Sequence, residues 1–179
     1  ARLAPRKRPT SFVTTATRLA AEFPDVTFTL VGPDEGEGPA VAEAIAAAGE
    51  GSRLSWEGPL APEKTMDRLR ASSVYVLPSV DEPYPMSVLE AMSAGLPVVI
   101  TDTCGLAGIV RQADAGIVVG PEQEALDAAV RRLLEDPAEA AAMGRRGREY
   151  VREHLGMQAV AGRLLDLYGG EASRAGASS

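Results

Sequence analysis

Two carboxylates, Glu82 and Glu90, frame the segment whose residue types and spacing most favour chemistry. Pro83 and Pro85 hold the residues before them extended and remove two amide donors. A helix that carries Glu90 therefore begins no earlier than about Met86. The first amides of a helix have no partner within it and carry partial positive charge, which suits a phosphate. We expect three amides at this anion site: those of Met86, Ser87 and Val88.

The same residues allow a second interpretation. Ser87 and Glu90 have the three-residue spacing of a capping box, in which Glu90 only satisfies a backbone amide at the start of the helix. Glu82 could equally be a solvated acid on a surface loop. The spacing alone leaves these interpretations open.

Four cations lie among the first eight residues, although the chain has a formal net charge of −7. They are Arg2, Arg6, Lys7 and Arg8. Nucleic-acid binding without sequence preference draws on Lys and Arg side chains clustered over a broad surface. The acidic balance of the chain therefore argues against a nucleic-acid partner, and its basic start favours a small anion.

The composition limits the classes of site that the chain can build. Its 179 residues, 45% hydrophobic and 24% charged, are typical of one soluble globular domain. The single Cys104 cannot form an internal disulfide, and the single His154 cannot build a multi-histidine metal site, so the composition argues against zinc chemistry. No apolar run approaches the roughly 18 residues that span a bilayer. We therefore expect a cytoplasmic setting. Because the chain opens on a loop-like sequence without Met, we also expect it to be a fragment of a longer protein.

Short apolar runs rich in Val, Ile and Leu alternate with segments of helical periodicity. This alternation predicts an α/β fold, a Rossmann-like doubly wound parallel sheet with extra C-terminal helices. The predicted strands are Val26–Val31, Arg53–Trp56, Val74–Leu77, Pro97–Thr101 and Gly116–Val119. The predicted helices are Thr10–Glu22, Pro39–Ala48, Pro62–Ala71, Ser87–Ala94, Glu122–Leu134, Ala138–His154 and Met157–Tyr168.

The loops that follow the predicted strands collect the unusual residues. In open parallel sheets, ligands bind beyond the carboxyl ends of the strands. The loops expected at that edge are Gly32–Gly36, Gly58–Leu60, Ser79–Pro85 and Asp102–Gly105. The basic segment Arg2–Arg8 joins them if a strand precedes Ala1. Cations, carboxylates and the anion site are thus expected at one edge of the sheet.

The segment from Glu82 to Val98 resembles the hallmark of a known family, in which a Glu, seven residues and a second Glu lead into Ala-Met-x-x-Gly-x-Pro-Val. The family is that of retaining glycosyltransferases of the GT-B fold, glycosyl transferases group 1, and the hallmark lies in its C-terminal, donor-binding half. The resemblance covers nearly all of residues 1–168 and includes the basic start and turns at Val31–Pro33 and Trp56–Gly58. It implies a nucleotide-sugar-binding domain with a truncated first strand, a flexible tail at 169–179 and an absent N-terminal acceptor domain.

The resemblance also implies a role for each matching residue. Arg2 and Lys7 would pair with the diphosphate of a nucleotide sugar, together with the amides of the anion site. Glu90 would accept hydrogen bonds from the ribose hydroxyls, and Glu82 would lie beside the donor sugar, where it supports catalysis.

Further donor contacts are implied in three loops. Backbone groups of Gly58 and Leu60 would face the base, and Gly32 would line the same site. Tyr84 replaces the Phe of the family's Gly-Phe-Gly, and the two prolines that flank it stiffen this loop.

The function implied is transfer of a sugar from a UDP-, GDP- or ADP-linked donor, which is a co-substrate, to an acceptor hydroxyl, with retention and with no metal and no cofactor. Polysaccharide or glycolipid synthesis at the cytoplasmic side of a membrane is the expected setting. Two alternatives stay open: a nucleotide-sugar epimerase of the same fold, and a non-catalytic nucleotide-binding module.

Overall fold

A computed structural model describes residues 2–155 of the chain, which alternate between strands and helices. The strands are β1 Phe28–Leu30, β2 Leu54–Trp56, β3 Tyr75–Leu77, β4 Val98–Thr101 and β5 Gly116–Val119. The α-helices are α1 Pro9–Ala20, α2 Gly38–Ala48, α3 Pro62–Arg70, α4 Met86–Ala94, α5 Ala107–Gln112, α6 Gln123–Glu135 and α7 Pro137–His154. Short 3₁₀ turns cover Pro5–Lys7 and Glu50–Ser52.

The predicted α/β class and element order are confirmed over the described residues. Each predicted strand is present, and six predicted helices match α1–α4, α6 and α7 within two residues at either end. Helix α5 was missed because it has only six residues and contains Gly108 and two β-branched residues, a poor helical sequence that packing stabilises through buried Ala107 and Val110. The predicted helix Met157–Tyr168 and the tail at 169–179 lie outside the described residues.

All strand pairs are parallel, but they form two sheets within residues 2–155. One sheet has the order β1-β2, and the other has the order β3-β4-β5. In the second sheet, Val99 of β4 lies opposite Val76 on one side and Ile117 on the other. Strand β4 has a partner on both edges, and all four of its residues are buried.

Buried apolar side chains form two core clusters on opposite faces of β4. Val99 belongs to the first cluster, with residues of α1 and α6 such as Leu19 and Val130. Val98 and Ile100 belong to the second, with residues of α4 and α5 such as Met92 and Val110. Successive residues of β4 thus alternate between the two clusters, as a strand covered by helices on both faces requires.

Helix α7 packs closely against the end of α4. Helix α4 ends at Ala94 and is capped by Gly95, which has a φ of +87° in the left-handed region. A Cβ added at Gly144 of α7 would lie 2.0 Å from the carbonyl oxygen of Gly95. The backbones therefore meet at a distance that only glycine permits.

A buried polar network joins α1 to α6. The carboxylate of Asp127, which is 5% exposed, accepts hydrogen bonds from Thr15 Oγ1 at 2.6 Å, Arg18 Nη1 at 2.6 Å and Gln123 Nε2 at 2.8 Å. Burial acts to raise the pKa of Asp127, but the three hydrogen bonds and the Arg18 charge outweigh it and hold this pKa below its ordinary value. The ionised carboxylate is therefore the form that stabilises the fold.

Asp127→Asn is expected to lower the free energy of unfolding at pH 7 by about 1–3 kcal/mol, because the amide weakens the bonds to Arg18 and Thr15. The folded-state pKa of Asp127 is depressed, so its stabilisation is fully present above the unfolded pKa of about 3.9. It is lost as the pH falls through the folded pKa. Urea unfolding at pH 7, 5 and 3 measures this change.

The control for this substitution is Asp67→Asn, which removes an exposed carboxylate paired with Arg70. Its effect should be within about 0.5 kcal/mol at each pH. Equal stability curves for Asp127→Asn and the wild type would contradict the assignment.

Candidate functional site

The loop between β3 and α4, residues 78–85, presents the hallmark carboxylate at the carboxyl edge of the second sheet. Pro85 is the N-cap residue in extended backbone, and α4 begins at Met86 as the two prolines predicted. We name residues 79–85 the Glu82 loop.

The anion site at the start of α4 has two open amides rather than three. The N–H of Val88 donates to the carbonyl oxygen of Pro85 at 3.0 Å, so the prediction that this amide is available was wrong. No hydrogen bond engages the amides of Met86 and Ser87 within residues 2–155. These two N–H groups and the partial positive charge of the helix start remain to attract an anion.

The capping-box interpretation is wrong. Ser87 is the second residue of α4 rather than its N-cap, and its Oγ accepts a hydrogen bond from the Tyr75 hydroxyl at 2.8 Å. Glu90 lies one turn further along, half-buried, and its side chain makes no hydrogen bond or ion pair with the other described residues. Its carboxylate is therefore available to a ligand.

Glu82 is buried, with 7% of its side chain exposed, which excludes a solvated loop acid. Lys7 Nζ lies 2.8 Å from Oε2, and Arg6 Nε lies 3.4 Å from the same oxygen. These contacts are ion pairs without the geometry of hydrogen bonds, so Oε2 keeps its capacity to accept one. The side chain of Lys7 is itself only 12% exposed, so the pair is shielded from water.

Backbone contacts hold Glu82 in this position. The N–H of Val80 donates to the carbonyl oxygen of Arg6 at 2.9 Å, and the N–H of Gly105 donates to that of Glu82 at 2.8 Å. A Cβ added at Gly105 would lie 1.8 Å from the carbonyl oxygen of Pro83. The Glu82 loop is thus fixed between the basic segment and the loop that follows β4.

Arg2 lies near the loop that follows β1. It is 62% exposed and forms an ion pair with Glu35 at 3.0 Å. The neighbouring Leu3 donates its N–H to Pro33 O at 2.9 Å and accepts from the N–H of Glu35 at 3.0 Å. Both predicted phosphate cations, Arg2 and Lys7, are therefore at the carboxyl edge, each paired with a carboxylate.

The two glycine turns at this edge are joined to each other. The N–H of Gly32 donates to Gly58 O at 2.8 Å, and its carbonyl oxygen accepts from Trp56 Nε1 at 2.9 Å. Both backbone polar groups of Gly32 thus have partners within the protein, and its place in the lining of a ligand site stays a prediction. Gly58, with a φ of +73°, and Leu60 are half-buried along the same edge.

Two large apolar side chains are exposed beside the start of α4. Tyr84 of the Glu82 loop is 52% exposed, and Met86 at the start of α4 is 57% exposed. Flanking prolines restrict the backbone around Tyr84, so its ring projects from a stiff loop. This arrangement can contact an apolar face of a ligand or a second protein surface.

Tyr75 was not predicted as a site residue. Its hydroxyl donates to Ser87 Oγ, and the carboxylates of Glu90 and Glu82 act on it electrostatically. Burial, with these carboxylates, raises the pKa of Tyr75 to about 12, so the phenol stays protonated at neutral pH. To a reader of the sequence, a tyrosine in a strand rich in Val indicates core packing. Only its position in the strand that leads into the Glu82 loop could have suggested a role in the site.

Cys104 is buried beneath the same edge at 3% exposure. Burial raises the pKa of its thiol, so the thiol is protonated at neutral pH and packs with the second core cluster. No helix of residues 2–155 combines the length and apolar character needed to cross a membrane.

The family model described as glycosyl transferases group 1 matches residues 1–150. A D-inositol 3-phosphate glycosyltransferase of Rhodococcus jostii is 29% identical over 174 residues, covering 93% of this chain and 38% of that protein. A 2-deoxystreptamine glucosyltransferase of Streptomyces kanamyceticus is 35% identical over 154 residues, covering 84% of this chain and 39% of its own length. The chain therefore spans about two fifths of these relatives.

A solved structure of a TarM mutant from S. aureus, in complex with fondaparinux, alpha-GlcNAc-glycerol and UDP, has a TM-score of 0.81 to this chain. It covers 94% of this chain and 34% of its own, at 20% identity, which supports the fold. The family model covers most of the chain and includes the hallmark from Glu82 to Val98. The chain belongs to glycosyl transferases group 1 and has the α/β fold found in GT-B glycosyltransferases.

Proposed function

We propose that this chain binds the nucleoside-diphosphate sugar from which a retaining glycosyltransferase moves the sugar to an acceptor hydroxyl. The observation that carries the proposal is the buried ion pair of Glu82 and Lys7 beside the start of α4. It combines a carboxylate for a sugar with positive charge for a diphosphate, in a position shielded from water. The TarM structure of similar fold is in complex with UDP, which supports a nucleotide as the kind of ligand, and the base in this protein stays open among uracil, guanine and adenine.

The cations and the anion site would hold the diphosphate. When the nucleoside diphosphate leaves, negative charge grows on its phosphates, and preorganised donors stabilise that charge. Lys7 and the amides of Met86 and Ser87 supply fixed positive potential. Arg2 can also contact the diphosphate, because the exposed ion pair with Glu35 that it would give up contributes only about 0–1 kcal/mol. The proposed reaction therefore needs no metal.

The two hallmark carboxylates would act on different parts of the donor. Glu82 has an accepting oxygen in a buried position, so it can bind sugar hydroxyls and stabilise positive charge that develops at the anomeric carbon. Glu90 has no partner among the described residues and lies one turn along α4, where it can accept hydrogen bonds from ribose hydroxyls. Gly58 and Leu60 would border the base.

The acceptor would bind to a second domain of the same protein. Coverage of about two fifths of the curated relatives supports this division. Closure of two domains over the donor would exclude water and complete the site, so this chain alone is expected to bind donor weakly and transfer little sugar. We place the reaction at the cytoplasmic side of a membrane.

Arg2→Ala is expected to weaken binding of the matching donor at least about 10-fold, equivalent to 1.4 kcal/mol, because it removes one charge that faces the diphosphate. Calorimetric titration with UDP-, GDP- and ADP-glucose measures the affinities. Arg131→Ala, which breaks a similar ion pair between α6 and Glu22 just after α1, is the matched control and should leave binding unchanged. Equal loss in both variants would reject the assignment of Arg2.

Gly105→Ala is expected to displace the Glu82 loop, because its Cβ would overlap the carbonyl group of Pro83. Donor affinity should fall at least about 10-fold in the same titration. Gly108→Ala is the control, since a Cβ at that position meets no atom within 4 Å. Unchanged donor affinity in Gly105→Ala would contradict a role of the Glu82 loop in donor binding.

Glu82→Gln, in the protein complete with its acceptor domain, is expected to lower kcat for sugar transfer at least about 100-fold while the donor KM changes less. The amide keeps the shape but loses the charge that would stabilise the anomeric centre. Glu43→Gln on the exposed face of α2 is the control. Full activity of Glu82→Gln would favour a role in binding alone, and rapid donor breakdown without acceptor would favour an epimerase.

A further inference from the structure

Arg6 is a cation of the basic segment that the proposed donor site leaves unused. Its guanidinium makes no hydrogen bond within residues 2–155, where its one ion pair is the 3.4 Å contact from Nε to Glu82 Oε2. The neighbouring Arg8, by contrast, donates from Nη1 to the carbonyl oxygen of Pro121 at 2.7 Å. Both Nη groups of Arg6 are therefore open donors.

The charge of Arg6 is not needed to balance that of Glu82. Lys7 lies nearer to the same oxygen, at 2.8 Å, and forms with Glu82 a neutral pair whose side chains are 12% and 7% exposed. Arg6 is thus a second cation on a carboxylate that already has one. Since its side chain is 54% exposed, its ion pair adds only about 0–1 kcal/mol to stability. Neither charge balance nor the stability of the fold accounts for this guanidinium.

The backbone fixes the point from which the Arg6 side chain starts. Arg6 is the middle residue of the 3₁₀ turn Pro5–Lys7, in which the ring of Pro5 restricts the backbone. Its carbonyl oxygen accepts from the N–H of Val80 at 2.9 Å, which joins the turn to the Glu82 loop. The side chain therefore starts from a fixed position beside Glu82 and extends towards solvent.

The two cations contact Glu82 from different environments. The Lys7 side chain is almost enclosed, so it lies on the buried side of the carboxylate, whereas Arg6 lies on the solvent side. In the proposed site, Lys7 is beside the diphosphate and Glu82 is beside the donor sugar. Arg6 is then on the solvent side of that sugar, where an acceptor would approach during transfer.

A guanidinium with two open Nη groups is suited to a carboxylate or a phosphate. Its N–H groups form a planar fork that matches two oxygens of such an anion, and hydrogen bonds between ions are about twice as strong as neutral ones. Within residues 2–155 the fork has no anion to bind, because Glu82 is contacted by Nε alone. The anion that fits it is therefore expected on a ligand.

We propose that Arg6 binds a carboxylate or phosphate on a sugar substrate, separate from the diphosphate of the donor. This inference rests on the proposed function and deepens it, since it makes the substrate class anionic. The anionic group belongs either to the donor sugar, as in a uronate, or to the acceptor. Both sources present the same chemistry to the fork on the solvent side of Glu82.

The first part of the test concerns the donor sugar. Calorimetric titration of this chain compares UDP-glucuronate, which carries a carboxylate on its sugar, with UDP-glucose. Arg6→Gln should bind UDP-glucuronate at least about 10-fold more weakly than the wild type does, while the two bind UDP-glucose equally. The matched control Arg8→Gln removes the same charge two residues away and should leave the ratio of the two affinities unchanged. GDP-mannuronate and GDP-mannose replace this pair if the chain prefers guanine.

The second part concerns the acceptor and applies to any base. The chain is saturated with the nucleoside diphosphate that it binds, and inorganic phosphate is titrated at constant ionic strength in place of the acceptor's anion. The NMR signals of the Lys7 and Val80 amides should shift with saturation. Phosphate binding should be at least about 10-fold weaker in Arg6→Gln and unchanged in Arg8→Gln.

Dependence on Arg6 in the first part assigns the anion to the donor sugar, and dependence in the second part alone assigns it to the acceptor. Two results would overturn the proposal. One is the same affinity of Arg6→Gln and the wild type for both UDP-glucuronate and phosphate. The other is an equal loss with UDP itself, which would make Arg6 a further cation of the diphosphate. Absence of any binding of UDP, GDP or ADP to the wild type would instead reject the proposed function, so the two failures are distinguishable.

Discussion

A carboxylate can be buried in a protein only when an opposite charge or several donors accompany it, and this constraint shapes the carboxyl edge of the chain. Glu82 is shielded from water and has Lys7 at 2.8 Å and Arg6 at 3.4 Å. Without them its charge would be uncompensated at a cost of several kcal/mol. The turn Pro5–Lys7, the Glu82 loop and the loop after β4 all converge on this ion pair. The sugar-binding and phosphate-binding parts of the proposed site are therefore electrostatically coupled.

Parallel strands bring these distant segments together. The carboxyl ends of β1 to β5 point towards one edge, so segments that begin at residue 31, 78 or 102 meet there although many residues separate them. Backbone hydrogen bonds between these loops then hold them in place. Gly105 holds the carbonyl of Glu82, and Gly32 holds that of Gly58. The side chains with chemistry thus project from loops that backbone hydrogen bonds hold in place.

The sequence was most predictive where a local rule acts. The apolar runs predicted each strand, and Pro85 predicted the start of α4, because these effects depend on a few neighbouring residues. Predictions that depended on bonding partners were less accurate. The amide of Val88, expected to be open, bonds to the carbonyl oxygen of Pro85. Residue types do not reveal which partner a backbone group bonds to. The separation of the strands into two sheets is likewise a property of the whole fold.

The contact between Gly144 and Gly95 has a consequence for the opposite end of α4. A nine-residue helix is about 13 Å long and nearly incompressible along its axis. Because α7 blocks one end at backbone contact, α4 cannot slide away from the carboxyl edge. The contact at Gly144 thus fixes the position of α4 along its axis. A glycine far from the carboxyl edge thereby determines how far the amides of Met86 and Ser87 extend towards that edge.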